Sequence, residues 1–195
     1  MILNEPEGAT PLSVELMAGL IPGLTTREEL NEFEQWNIAA AMRWAGRSHR
    51  RLSKNLVTVD GLLLLHRKMF EEVWEWAGKF RLTDTNIGVT WSQVPGQLRK
   101  LCDDVKYWQE NETYSLDGIA VRFHHKLVQM HPFPNGNGRH ARLVADLMVE
   151  LEGKEPFSWG RNAIGVSGQT RETYLTALRE ADCHKPQKLL EFARG

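Results

Sequence analysis

The sequence predicts a mainly α-helical chain with one short β-hairpin, and three observations carry that prediction. Apolar residues recur at three- and four-residue spacing through most of the chain, the period of a helix with one buried face. Helix-starting Thr, Ser and Pro residues and helix-ending Gly residues fall at the edges of those segments. One stretch alone, residues 79–94, loses the helical period.

Taken in order, residues 1–24 hold Pro6, Gly8, Pro11, Gly19, Pro22 and Gly23 and read as an N-terminal arm with a helical turn or two near Ser13 to Leu20. Residues 25–195 read as a single helical domain. Thr25 or Thr26 starts its first helix, with capping-box spacing from Thr25 to Glu28. Leu30, Phe33, Ile38, Ala41 and Trp44 mark its buried stripe, and Gly46 its end. The basic run Ser48 to Lys54 reads as a solvated connector, with a polyanion patch as the alternative. Val59-Asp60-Gly61 opens the next helix, whose apolar side is Leu62, Leu65, Met69, Phe70, Val73 and Trp74. Trp74 and Trp76 read as core.

Phe80-Arg81-Leu82 and Ile87 to Trp91 are the expected hairpin arms, with Asp84-Thr85-Asn86 near the tip. A lone two-stranded hairpin is marginally stable and leaves edges that can pair with another extended segment. Val94-Pro95 starts a helix carrying Leu98, Leu101, Val105 and Trp108. Ser115 caps the central helix, Leu116 to Met130. A second central helix runs from Asn137 to about Gly153. Pro156 to Gly168 is irregular, with Trp159, Arg161 and Asn162 near the place a nucleotide base would occupy. Helices over Gln169 to Ala181 and Pro186 to Ala193 complete the chain.

Composition narrows the function classes. The 195 residues are enough for one sizeable core, and 42% hydrophobic with 25% charged residues is ordinary globular chemistry. A net charge of -1 supplies no global basic field, which disfavours nucleic acid as a partner. Cys102 and Cys183 form no metal or redox pattern, so a reducing cytoplasmic setting with free thiols is expected. The N-terminus lacks the pattern of a signal peptide, and no apolar run is long enough to span a membrane.

The chemistry concentrates in His131-Pro132-Phe133-Pro134-Asn135-Gly136-Asn137-Gly138-Arg139-His140-Ala141-Arg142, between the two central helices. Glycines at a helix start leave backbone N–H groups pointing at an anion. Arg139 and Arg142, three residues apart, share one helical face and make a fork for phosphate oxygens. His131 at the lip of such a cradle is a natural general base. Each piece alone has a bland reading: an edge histidine, an Asn-Gly turn, a solvated arginine pair. Their conjunction within one helix start is what points to phosphate. His124, His125, His131 and His140 match no metal-binding spacing.

This segment resembles the signature of the Fic (Fic/DOC) family, His-x-Phe-x-[Asp/Glu]-Gly-Asn-Gly-Arg-x-x-Arg. His131, Phe133, Gly136, Asn137, Gly138, Arg139 and Arg142 match, and Asn135 departs from the family's acid. Trp76-Ala77-Gly78-Lys79-Phe80-Arg81 is similar to the family's approach to its flap. Tyr174 to Leu178 with Ala181-Asp182 is similar to its C-terminal helix. Within the family the chain resembles the bacterial "mobile mystery protein B" subgroup.

The resemblance implies a Fic-type helical bundle with a hairpin flap and a protein adenylyltransferase that moves AMP from ATP to a hydroxyl of a target protein. His131 would take the hydroxyl proton. Asn137 would donate to the α-phosphate, and Arg139 and Arg142 would hold the outer phosphates. Gly136 and Gly138 would let backbone approach them, and Phe133 would anchor the loop. Ile87, Gly88, Val89 and Thr90 would hold the target. Mg²⁺ or Mn²⁺ is implied with ATP, with Asn135 at the ligand position but lacking the charge that Mg²⁺ prefers. The family's inhibitory glutamate, which pairs with the second motif arginine, has no clean copy here; Glu29, Glu34 and Glu180 are the candidates. A small antitoxin-like regulatory partner is the alternative brake. Other phosphate-group transfer, or a nucleotide- or partner-binding module without turnover, are the rival functions.

Overall fold

A computed structural model describes residues 14–160 and 167–195. The helices are α1 (Val14–Met17), α2 (Arg27–Arg47), α3 (His49–Asn55), α4 (Val59–Phe70), α5 (Val94–Glu110), α6 (Leu116–Met130), α7 (Asn137–Glu150), α8 (Ser167–Asp182) and α9 (Gln187–Arg194). The mainly helical class is as expected. α6 and α7 pack on each other at the centre, with α4 and α5 against them, α2 over α4, and the α8–α9 pair on α6.

The burial pattern explains this arrangement. Ile119, Ala120, Phe123 and Leu127 of α6 meet Ala141, Val144, Ala145 and Met148 of α7 in one core. The small alanines let the two helix backbones come close, and the larger side chains fill the surrounding space. Ser115 accepts from the Gly118 N–H and starts α6 as anticipated. At that same end, Asp117 takes a two-pronged bond from Arg194, at 2.8 Å on each oxygen, which ties α9 to the start of α6. Residues 14–24 dock on the domain: Ile21 N–H donates to Val73 O, Glu75 N–H donates to Gly19 O, and Leu20 bridges Trp74.

Several local expectations are corrected. The α2 cap is Thr26, not Thr25: Glu29, not Glu28, closes the capping box. Phe33 lies on the solvent side and stacks loosely with exposed Trp36, because the buried face of α2 runs through Leu30, Glu34, Asn37, Ala41 and Ala45. A stripe chosen by apolarity alone overlooks a buried acid and a buried amide. The basic connector is helix α3, held by Leu52 and Leu56 in the core. Arg161 and Asn162 lie outside the described residues.

The β-hairpin is absent; residues 81–90 contain no strand. The reason is a side chain. Arg81, 2% exposed, places its guanidinium inside the loop and donates to the carbonyls of Thr83 and Val89. Carbonyls that a strand ladder would use are occupied by a guanidinium instead. The Asp84 carboxylate accepts from Trp91 N–H at 2.8 Å and closes the base of the loop.

Candidate active site

A cleft of about 640 Å³ opens over the start of α7. It is lined by His131 and the 135–139 segment, by Arg142, by Glu34 from α2, by Ile87 and Gly88 from the flap, and by one side of α8. Every expected motif residue except the core-facing Phe133 therefore borders a single space. Of the flap residues, Ile87 and Gly88 face the cleft, while Val89 packs on the core and Thr90 precedes the 3-10 turn Trp91–Gln93.

His131 ends α6 in the left-handed region, φ 51° and ψ 65°. A non-glycine residue there is uncommon and held by its surroundings. Its N–H caps Leu127 O, and its Nδ1 hydrogen-bonds the Val128 carbonyl. A carbonyl only accepts, so Nδ1 carries the hydrogen and Nε2 keeps its lone pair. Burial pushes the imidazole pKa below its ordinary value; the Val128 bond opposes that shift and the nearby Arg81 charge adds to it. On balance these surroundings favour the neutral ring.

The loop that follows is built around two buried rings. Phe133 is fully buried and stacks on His66, with centroids 3.7 Å apart. His66 Nδ1 accepts from Gly78 N–H at 3.0 Å, so its Nε2 donates to the Asn135 carbonyl at 3.1 Å. Its desolvation holds the pKa well below the ordinary value, so the ring stays neutral. Gly136 caps α7 at φ 77°, and a Cβ there would meet the Phe70 ring at 2.6 Å. Only glycine fits. Gly138 faces open space, so a ligand can approach its backbone. α7 starts without a side-chain cap, which leaves its first N–H groups for an anion.

Asn137 also holds the loop. It is buried: its Oδ1 accepts from Phe133 N–H and its Nδ2 donates to Phe133 O, both at 2.9 Å. The amide acts as a clasp that shapes the loop. Asn135 accepts its own neighbour's N–H: Gly136 N–H donates to Oδ1 at 2.6 Å. As a metal ligand it offers one neutral oxygen that is already engaged. Among the described residues no cluster of three His, Cys, Asp or Glu side chains could hold a metal ion. Residue 135 thus offers a Mg²⁺ no charged oxygen, and such an ion would be held largely by waters and by the phosphates of a bound nucleotide.

The two arginines sit differently. Arg139 Nη1 meets Glu34 Oε2 at 2.7 Å, and its guanidinium lies over Phe70. Arg142 lies over the Tyr174 ring, 5.5 Å from its centroid. Of the three candidate brakes, Glu34 alone reaches the motif. Glu29 is spent on the α2 cap, and Glu180 pairs with Lys188. The pairing is with the first motif arginine, not the second as anticipated, because Glu34 is itself anchored by Trp74 Nε1 at 2.8 Å.

One contributor, His66, has no mark in the sequence, and two others are marked there for less than they do. His66 has no motif or spacing to mark it, and Arg81 reads only as a hairpin-arm residue on the approach to the flap, since each acts on backbone distant in the chain. Glu34 was visible only as one acid among several.

The Fic/DOC family model matches residues 56–149. The chain is 30% identical over 167 residues to protein adenylyltransferase fic-1 of Caenorhabditis briggsae, covering 84% of this chain and 31% of that protein. It thus spans about a third of the length of the curated relatives it matches. Fic-1 of C. elegans (residues 134–508) has a solved structure that superposes with a TM-score of 0.65 at 26% identity, over 93% of this chain and 52% of that one. BepC of Bartonella tribocorum with bound AMPPNP superposes with a TM-score of 0.64 at 16% identity, over 93% and 97%, a likeness of fold alone. The matched segment includes α4, the flap, α6, the motif and nearly all of α7, and this chain carries a Fic/DOC family domain.

Proposed function

We propose that the cleft transfers AMP from ATP to a hydroxyl of a target protein. The observation that carries this reading is that one cleft brings together His131, its Nδ1 held and its Nε2 available, the uncapped start of α7 and the two motif arginines of that helix. A hydroxyl oxygen attacks the α-phosphorus and forms the new P–O bond. The bond from that phosphorus to the bridging oxygen breaks, and pyrophosphate leaves. The hydroxyl proton passes to His131 Nε2. The α7 N–H groups and the arginines offset charge that develops on the phosphates. Asn137 acts by holding the loop, and Ile87 and Gly88 border the place of the acceptor segment. The adenylyltransferase named for the worm relatives is consistent with this reading.

Glu34 is proposed as the brake, since it occupies the arginine that the outer phosphates would need. A bacterial setting, the narrower subgroup kinship and an antitoxin-like partner are proposed with it, from the sequence resemblance alone. A second reading, nucleotide binding without turnover, draws on the uncharged Asn135. Intact-mass measurement after incubation with ATP and Mg²⁺ or Mn²⁺ tests the choice, comparing Glu34→Gly with Glu34→Gly plus His131→Ala. An added AMP mass on the first protein alone supports transfer. ATP binding with no added mass supports the second reading.

A further inference from the structure

The flap touches the base of the cleft through one buried cation. Arg81 Nε donates to the His131 carbonyl, Nη1 to Thr83 O at 2.9 Å, and Nη2 to Val89 O and, at 3.4 Å, to Met130 O. Two of those carbonyls belong to the flap, and two end the helix that presents the general base. The Arg81 N–H adds a bond to Pro132 O at 3.0 Å, and Val89 N–H reaches Met130 O at 3.3 Å. The guanidinium is planar and multidentate, so it fixes angles as well as distance between the parts it joins. On the other side Gly88, at φ 118°, presses against the same group: a Cβ there would lie 2.9 Å from Arg81 Nη2 and 2.9 Å from His131 Cβ.

We infer that Arg81 is a positioning residue that sets the flap and the His131 backbone in one geometry, with Gly88 permitting the close approach. The consequence is specific. The flap's distance from the base does not depend on strand pairing, which residues 81–90 lack, nor on bound target. It is set in advance by four carbonyls around one guanidinium. A lysine carries the same charge but is a single point, and it cannot span both pairs of carbonyls. Nucleotide binding should be separable, because the start of α7 is shaped by His66, Phe133 and Asn137 instead.

The catalytic arm of this inference rests on the transfer reading above; the structural arm does not. The experiment compares Glu34→Gly with the same protein carrying Arg81→Lys or Gly88→Ala. Hydrogen exchange at the Val89 and Trp91 amides, calorimetric ATP affinity and AMP-transfer rate are measured on each. Both variants should lose flap-amide protection while α6 and α7 keep theirs. ATP affinity should hold while kcat for transfer falls on the order of 100-fold, the scale of a misplacement of about 1 Å. Intact flap protection in Arg81→Lys overturns the inference, as does an unchanged transfer rate with protection lost. Loss of ATP affinity in step with transfer also overturns it. If Glu34→Gly binds ATP but adds no AMP, the transfer reading fails, and the exchange result alone decides whether Arg81 holds the flap.

Discussion

The Glu34 carboxylate bridges Trp74 and Arg139, accepting from the indole Nε1 at 2.8 Å and from the guanidinium Nη1 at 2.7 Å. The acid is 4% exposed, and its anchor on Trp74 is itself part of the core. The contact is therefore a held pair and not a mobile surface bridge of small worth. An arginine so engaged is not positioned to meet a phosphate.

Glu34→Gln should release Arg139 while its carbonyl still accepts from Trp74. Automodification with ATP should rise on the order of 100-fold, the scale of restoring one donor to a developing anion. Glu29→Gly and Glu180→Gly should leave the rate unchanged, since those acids serve the α2 cap and Lys188. Intact-mass time courses of the three variants check this; a flat response for Glu34→Gln removes it as the brake.

Asn135→Asp should tighten metal use. A unit charge 4 Å from a cation contributes about 4 kcal/mol at an effective dielectric near 20, and the asparagine forgoes it. Titrating Mg²⁺ or Mn²⁺ against transfer rate for both proteins gives the half-saturating concentration. It should fall in the acid variant, and an unchanged value argues that residue 135 has no part in metal binding.

The pH profile follows from His131. Burial lowers its pKa from the ordinary 6.5, and a general base must be neutral. The midpoint of the acid limb of transfer should thus lie below pH 6.5, where the ring protonates. A rate that already halves at pH 6.5 would assign the limb to a different group.

Acid stability is set by rings that the reaction does not use. His66 and His124 are buried with pKa well below 6.5, and burial brings His140 down to about 3 despite its bond to Leu62 O. A depressed folded pKa means the unfolded chain binds more protons below pH 6.5, so stability is full above that pH and is lost as pH falls beneath it. Each such ring costs up to about 1.4 kcal/mol per pH unit in that window. Urea unfolding at a series of pH values should show His140→Gln with a shallower acid slope than the parent; equal slopes would contradict the buried neutral assignment.

The helices were legible in the sequence because local physics writes them. Ser115 and Leu116–Met130 show the cap and the apolar period of α6, and Gly136 before Asn137 marks a turn into α7. The motif was legible because a phosphate cradle needs its glycines, imidazole and arginines contiguous at one helix start. Tertiary structure decided the rest. Arg81 became the filling of an irregular flap, since its carbonyl partners lie about fifty residues away at Met130 and His131. Glu34 was singled out from three acids by a partner 105 positions distant. Asn137 was made a clasp on the loop by the path of Phe133. Periodicity and spacing record what a residue does to its own turn of chain. They carry no record of which distant carbonyl or guanidinium the packed helices will bring within 3 Å, because that proximity exists only once the core has closed.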